Sequence, residues 1–139
     1  MKGRVMALDV GDRRVGVAVS DLLGVIAQGQ DTFERQGKRG DSAHVSGLIE
    51  THEVTRIVVG WPLEPSGRAG AQARKTQRFI DDVLAPTGLP IEKWDERMTS
   101  VAAERVLREV GGRRKRRQKG AVDKIAAVLI LQGWLDAHG

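Results

Sequence analysis

Cysteine is absent from the 139 residues of the sequence, which excludes disulfide bonds and thiolate metal ligands. A chain without cysteine fits a reducing compartment, and we expect a cytoplasmic location. No apolar run is long enough to span a bilayer and no signal peptide is recognisable, so we expect no membrane partner. A chain of this length is predicted to form one domain, residues 1–139, around a single core.

Acidic residues are missing from one strongly basic stretch. The segment Arg113–Lys119, RRKRRQK, holds six of the 23 basic residues, and the remaining 17 face 18 acidic residues elsewhere, a net charge of −1. Such a segment cannot bury its charge and is predicted to be a solvated loop. Its basic residues are candidates for contacts with nucleic-acid phosphates: Arg113, Arg114, Lys115, Arg116, Arg117 and Lys119. The alternative is a solvated spacer without a ligand.

Two short apolar runs near the start, Val5–Val10 and Val15–Ser20, predict a β-hairpin. The first run is apolar on both faces, which is typical of a central strand. The second run has large side chains on one face and small ones on the other, here called its bare face. Asp9 lies inside the first run, where burial of a carboxylate is unfavourable without a cation or a hydrogen-bond donor. Asp9 is therefore either a turn cap or a metal-binding carboxylate, with Gly11 leaving space for a phosphate.

The rest of the chain alternates between strands and helices. Further strands are predicted at Ile26–Phe33, Thr55–Gly60 and Leu89–Trp94. Helices are predicted from Asp41 or Ser42 onward and at Ala71–Leu84, Val101–Val110 and Ala121–Ala137. Three strands followed by helices that alternate with strands indicate an α/β fold.

Further carboxylates lie at element ends. Asp95 and Glu96 follow the last predicted strand, and only one of them can face a given site because successive strand side chains point to opposite faces. Asp123 lies at the start of the last predicted helix, where it shares the edge of a core-facing surface or acts as an N-cap. His44 and His52 lack acids at ligand spacing, so we expect surface or core-edge roles for them.

Four motifs resemble one known family along the whole chain. LDVGDRRVGVAVSD, from Leu8 to Asp21, resembles the opening of the YqgF/RuvX family of ribonuclease H-like nucleases. VVGWPL, WDERMTS and KGAVDKIAAVLILQGWL resemble its later motifs. The sequence has Gly60 and Trp61 where many such nucleases have an acid. Actin-like ATPases have a similar opening but need two such domains, for which this chain is too short.

The resemblance implies a ribonuclease H-like α/β fold. Its features are a mixed five-stranded sheet, antiparallel in the first three strands, and helices on both faces. The resemblance also implies that Asp9, Glu96 and Asp123 are the catalytic residues and metal ligands, with Asp95 as the alternative to Glu96. An all-carboxylate set suits Mg²⁺ or Mn²⁺, and two ions about 3.5–4 Å apart are expected.

The implied activity is hydrolysis of phosphodiester bonds, in the processing of the 5′ end of precursor 16S rRNA. A Holliday-junction resolvase is the first alternative and requires a stable dimer that cuts two strands. The second alternative is a non-catalytic factor that only binds nucleic acid. The expected partner is precursor rRNA or branched DNA, and the sequence leaves the oligomeric state open.

Overall fold

The computed structural model describes residues 3–64, 66–96 and 119–138, and residues 119–122 by their backbone alone. The predicted helix Val101–Val110 and the basic residues Arg113–Arg117 lie outside these ranges. None of the helices in the described ranges is long and apolar enough to cross a membrane.

The described strands are β1 (Arg4–Val10), β2 (Arg14–Ser20), β3 (Ala27–Glu34), β4 (Val54–Trp61) and β5 (Ile91–Asp95). The helices are α1 (Gly37–His52), α2 (Ala71–Phe79) and α3 (Lys119–His138). The predicted strands and the last predicted helix are confirmed to within two residues at each end. The predicted helix Ala71–Leu84 changes at Ile80 into a π-helical turn, Ile80–Leu84, which a 3-10 turn follows.

The five strands form one mixed sheet in the order β3-β2-β1-β4-β5. β1 pairs antiparallel with β2, and β2 with β3, whereas β4 pairs parallel with both β1 and β5. The predicted mixed sheet with three antiparallel first strands is confirmed. β1 lies at its centre, which explains why that strand is apolar on both faces.

Helices cover both faces of the sheet, as predicted. On the face toward α1 and α2, here called the α1–α2 face, large side chains form the core: Met6, Leu8, Val17, Ile57 and Phe79. On the other, the α3 face, smaller strand residues pack against the last helix: Ala7, Ala18, Val58, Ala127 and Leu131. The bare face of β2 thus lies under α3, and the small side chains allow this helix to approach the sheet closely.

The start of α1 differs from the prediction. The helix begins at Gly37, so neither Asp41 nor Ser42 caps it. Asp41 is instead buried one turn inside, where its carboxylate accepts hydrogen bonds from Arg35 Nε and from the Gln36 backbone N–H, both at 2.8 Å. The side chain reaches back to a donor that a helix start leaves unsatisfied, and the polar residues 37–40 belong to the helix.

Candidate active site

Asp9 lies near the carboxyl end of β1 and points to the α3 face, because its neighbours Leu8 and Val10 belong to the core on the other face. β4 and β5 run parallel to β1, so the carboxyl ends of these three strands meet at one edge of the sheet. α/β sheets commonly place their functional side chains at this edge. The following turn is closed by the Gly11 N–H, which donates to the Arg14 carbonyl oxygen at 2.9 Å.

Glu96 comes directly after β5 and approaches Asp9. Trp94, two residues earlier, packs on the α3 face. Lys93 points to the opposite face, where its Nζ lies 3.9 Å from the centre of the Trp61 ring. Strand alternation therefore directs Glu96 to the α3 face and Asp95 away from it. The carboxyl groups of Asp9 and Glu96 share a hydrogen bond.

Gly60 at the end of β4 makes room for Glu96. A β-carbon at this position would lie 3.0 Å from the Glu96 Cγ and 3.1 Å from its Cδ, closer than neighbouring atoms normally come. Many ribonuclease H-like nucleases have an acid at about this strand end. In this protein the missing side chain leaves space that is occupied by Glu96 and, at 2.6 Å from the position of a β-carbon, by Ile130 Cδ1 from α3.

Asp123 reaches the same edge from α3. The helix already includes Lys119, so Asp123 is not its N-cap. Its Oδ2 lies 3.3 Å from Arg14 Nε, in a partly buried ion pair. A β-carbon at Gly16, the partner of Asp9 in the β1–β2 ladder, would lie 2.1 Å from the Asp123 carbonyl oxygen. Glycine at this position thus lets α3 come close to Asp9.

The pKa of each of the three carboxyl groups is raised above its ordinary value. Burial, followed by the nearby charges of Glu96 and Asp123, raises the pKa of Asp9 to about 8. Burial also raises the pKa of Glu96, despite its hydrogen bond with Asp9. Burial raises the pKa of Asp123, and the Arg14 guanidinium offsets part of that increase. The cluster therefore has less positive charge around it than three ionised carboxylates require.

The donor set suits a hard divalent cation, because it consists of carboxylate oxygens. No three Asp, Glu or His side chains of the described residues are close enough together to enclose an ion as they stand. Asp9 and Glu96 bond to each other, and Asp123 faces Arg14. Two carboxyl groups that share a hydrogen bond need a proton or a cation between them, since two negative charges would repel. The Asp9–Glu96 pair therefore fits a cation.

Arg14 is the site residue that sequence reasoning missed. It begins β2 and follows Asp9 by five residues across the hairpin. A cation at the start of the second strand returns to the same edge as an acid at the end of the first. In a predicted hairpin the end of the first strand and the start of the second lie side by side. This pairing of an acid with a cation is the signal that could have identified Arg14.

Other candidates lie away from the cluster or outside the described residues. His44 stacks on the ring of Phe33 at 4.1 Å, which agrees with the expected surface or core-edge role. Trp61 packs against the core of the α1–α2 face. Of the basic residues Arg113–Lys119, only the backbone of Lys119 is described, as the first residue of α3.

Two solved structures share this fold. Thermus thermophilus RuvC in complex with a Holliday junction substrate superposes with a TM-score of 0.63 and is 16% identical, covering 98% of this chain and 95% of that one. The resolvase of Fowlpox virus with Holliday junction DNA gives a TM-score of 0.53 and 9% identity, covering 97% of this chain and 98% of that one. Likeness at this identity establishes the ribonuclease H-like fold alone.

Sequence relatives are much closer. A protein of Clostridioides difficile (strain 630) with the name "Putative pre-16S rRNA nuclease" is 47% identical over 136 residues, 98% of this chain and 96% of that protein. A relative of the same name from Halothermothrix orenii is 48% identical over 133 residues, 96% of this chain and 94% of the relative. The model of the RuvX family, described as Holliday junction resolvase, matches residues 3–137. The chain therefore belongs to the RuvX family.

Proposed function

We propose that this protein is a divalent-metal-dependent nuclease that hydrolyses phosphodiester bonds in RNA, with precursor 16S rRNA as its substrate. The observation that carries the proposal is the convergence of Asp9, Glu96 and Asp123 at one edge of the sheet, with the pKa of each raised by burial. Perturbed carboxylates gathered in this way are a feature of catalytic sites. The names of the relatives support the choice of substrate.

Asp9, Glu96 and Asp123 would hold Mg²⁺ or Mn²⁺ through their carboxylate oxygens. The metal would stabilise the charge on the attacking water and on the leaving oxygen of an in-line displacement at phosphorus. Asp9 suits the central role because β1 is paired on both sides and buried on both faces, which fixes its position. Positional precision of this kind lowers the barrier to reaction.

Arg14 has two roles in the proposed reaction. Its Nε–H holds the Asp123 carboxylate, and the other N–H groups of a guanidinium can donate to a phosphate oxygen. In hydrolysis the water oxygen bonds to phosphorus, the bond to the 3′ oxygen breaks, and that oxygen takes up a proton. Arg14 would hold the phosphodiester against the carboxylates while this exchange takes place.

The proposal is tested by cleavage of a labelled precursor 16S rRNA segment with Mn²⁺ or Mg²⁺, for the wild type, Asp9→Asn and Asp136→Asn. Asp136 matches Asp9 in chemistry but is exposed near the end of α3 and bonds only to Gln132 among the described residues. We expect Asp9→Asn to reduce the cleavage rate by several orders of magnitude, because loss of metal-ion catalysis removes several kcal/mol and each ~1.4 kcal/mol is a factor of ten. Asp136→Asn should cleave like the wild type.

Three results would contradict the proposal. Normal cleavage by Asp9→Asn would exclude a carboxylate–metal mechanism at this site. Cleavage of a four-way DNA junction but not of the RNA would favour the resolvase activity. Tight RNA binding without cleavage of either substrate by the wild type would favour a non-catalytic factor. Binding and the thermal midpoint in EDTA show whether Asp9→Asn is folded.

A further inference from the structure

A recess opens beside the β1–β2 turn, on the α1–α2 face of the sheet. Its volume is about 300 Å³. Four basic side chains, Arg35, Lys38, Lys75 and Arg78, surround a floor of Phe79 and Val83. This recess, here called the basic pocket, draws its lining from the turn after β3, the first turn of α1 and one side of α2 with the π-helical turn that follows it.

The positive charges of the basic pocket are poorly compensated. Asp12 and Asp82 also line it, and the buried Asp41 behind it pairs with Arg35 at 2.8 Å, so four cations face three carboxylates. Asp12 and Lys75 approach only to 3.4 Å and are both exposed, so that ion pair contributes little. Lys38 and Arg78 form no salt bridge with any described residue. An anion in the pocket would offset the repulsion among these side chains.

Lys38 adds to this imbalance through its place in α1. The first turn of the helix holds no acidic residue, and no side chain of Gln36 caps it. A cation near a helix N-terminus opposes the helix dipole, which favours negative charge there. The Asp41 carboxylate already serves this end of α1 by accepting from the Gln36 N–H, so the surplus charge here is that of Lys38.

Arg35 is held rigidly at the wall of the basic pocket. Its Nε–H donates to the buried Asp41 carboxylate at 2.8 Å, and Nη1 donates to the Gly11 carbonyl oxygen at 3.0 Å. Its guanidinium carbon lies 4.9 Å from the centre of the Phe79 ring. These bonds use two of the five N–H groups of the side chain, and no other described residue accepts from the remainder. A fixed guanidinium with unused donors binds a phosphate with little loss of entropy.

We propose that the basic pocket binds a phosphate group, and that this phosphate belongs to the strand that the protein cleaves; the second part rests on the proposed function. Arg35 bonds to Gly11, two residues after Asp9, so the pocket and the carboxylates share one rigid turn. The three-residue step from Asp9 to Asp12 spans at most about 10 Å. The bound phosphate would therefore lie within a few nucleotides of the cleaved bond.

The test compares two double variants of the full chain that remove the same charge from the same helices. Lys38→Gln/Arg78→Gln removes two unpaired cations of the basic pocket. Arg39→Gln/Arg74→Gln removes two exposed cations beside them that do not line it. The probe is a fluorescein-labelled single-stranded RNA of roughly eight nucleotides, and its binding is measured by anisotropy in EDTA at several salt concentrations. AMP and inorganic phosphate are tested as competitors, and the binding of AMP alone is measured by calorimetry.

We expect Lys38→Gln/Arg78→Gln to weaken RNA binding at least about tenfold, since each charged hydrogen bond contributes strongly. The slope of log K against log salt should fall by about one to two units. Arg39→Gln/Arg74→Gln should bind within about twofold of the wild type, because its charges lie outside the pocket. Inorganic phosphate at high concentration should compete with RNA for the wild type more than for Lys38→Gln/Arg78→Gln.

Equal weakening of RNA binding by both double variants, or no effect of either on the binding of RNA or of AMP, would overturn the phosphate site. Loss of AMP binding in Lys38→Gln/Arg78→Gln with unchanged RNA affinity would keep a phosphate site but overturn the strand as its source. Because binding is measured in EDTA, these outcomes do not depend on cleavage. A failure of the nuclease proposal would appear as uncleaved RNA with the difference between the two double variants intact.

Discussion

At the scale of the residue, Asp9, Glu96 and Asp123 are acids kept in a setting that disfavours their charged form. Two glycines lie beside them: Gly60 leaves space for Glu96, and Gly16 lets the Asp123 backbone approach. Such a cluster lowers the stability of the metal-free protein, a trade that functional sites commonly make. The stability of the protein should therefore depend on pH and on divalent metal.

The pH dependence of unfolding tests whether Asp9 is protonated in the folded protein. Burial and the neighbouring carboxylates raise the pKa of Asp9 from 3.8 to about 8, so between these values the folded protein holds a proton that the unfolded chain releases. The free energy of unfolding from this group is therefore highest at low pH and falls as pH rises toward about 8, by up to about 1.4 kcal/mol per pH unit. Thermal unfolding in EDTA measures the decline.

Asp9→Asn is the control for this decline. The variant cannot lose the proton, so its free energy of unfolding should fall less than that of the wild type over the same range. Added Mn²⁺ should restore wild-type stability above about pH 7, because a ligand that binds only the folded state stabilises it. Parallel pH curves for wild type and variant would mean that Asp9 is already ionised at neutral pH.

A second prediction separates the two adjacent acids. Glu96→Gln should abolish Mn²⁺-dependent cleavage, because Glu96 shares a hydrogen bond with Asp9. Asp95→Asn should retain a measurable rate, since strand alternation directs Asp95 to the α1–α2 face. Single-turnover cleavage rates of the two variants are compared. The opposite ranking would mean that an irregularity at the end of β5 reverses the facing of these residues.

The three acids that the structure brings together at this edge could be singled out from the sequence, whereas their surroundings could not. Asp9 stood out because an acid within an apolar strand is costly, and that cost is visible in the sequence alone. The choice between Asp95 and Glu96 stayed open because it depends on which strand side chains face α3. Arg14 was missed because its partner, Asp123, lies 109 residues away in sequence.

At the scale of the element, α3 supplies Asp123 and must lie close to the sheet to do so. Its path is set by glycines on the bare faces of β2 and β3: a β-carbon at Gly29 would lie 2.7 Å from Lys124 Cγ, in addition to the contact at Gly16. Small residues in these strands determine the position of the helix. The position of the helix in turn determines the distance between Asp123 and Asp9.

Gly16→Ala tests this arrangement. The added methyl group would meet the Asp123 backbone, which cannot move without shifting α3. Overpacking of this kind costs about 1–3 kcal/mol of stability. Displacement of a catalytic group by about 1 Å can cost about a hundredfold in rate. We expect both losses, measured by denaturant unfolding and by cleavage under conditions where the variant is folded.

Gly47→Ala is the matched control. Gly47 lies on the exposed side of α1, and a β-carbon there meets no atom within 4 Å. Alanine in a helix interior is favoured over glycine by roughly 0.5–1 kcal/mol, so this variant should be slightly more stable and cleave normally. If Gly16→Ala behaved in the same way, close approach of α3 would not be required for activity.

Element boundaries show where local sequence signals fail. β1, β2 and β4 could be located because β-branched residues cluster in them, and α3 because its apolar run is long. The start of α1 was misplaced because Asp41 resembles a cap, whereas its carboxylate bonds backward to Gln36 and to Arg35. The π-helical turn after α2 has no comparable signal, since the apolar stripe continues through it.

At the scale of the whole molecule, one edge of the sheet collects both proposed binding features. The carboxylates lie on its α3 side and the basic pocket on its α1–α2 side, with the Gly11–Arg14 turn between them. Element order indicated an α/β fold and the apolar faces of β1 a central strand, whereas the mixed five-stranded sheet was implied by the family resemblance. The basic pocket could not be predicted, because its residues come from segments that are distant in sequence.

Charge at this scale lies mainly in the segment Arg113–Lys119, since the rest of the chain is close to neutral. If this segment contacts phosphates, replacing Arg114, Lys115 and Arg116 by Gln should weaken binding to unrelated RNA sequences about equally. Contacts to phosphate carry little sequence information, and each one lost lowers the slope of log K against log salt by up to about one unit. RNA binding across a salt series in EDTA measures both effects.

The control replaces three exposed arginines, Arg39, Arg68 and Arg74, by Gln, which lowers the net charge of +5 by the same amount. If binding depends on contacts made by Arg113–Lys119, the control should keep a salt slope close to that of the wild type. Equal losses in both variants would instead attribute the effect to net charge, which acts over the whole surface and is screened by salt. An unchanged slope in the first variant would identify the segment as a solvated spacer and leave the basic pocket and Arg14 as the cations that contact RNA.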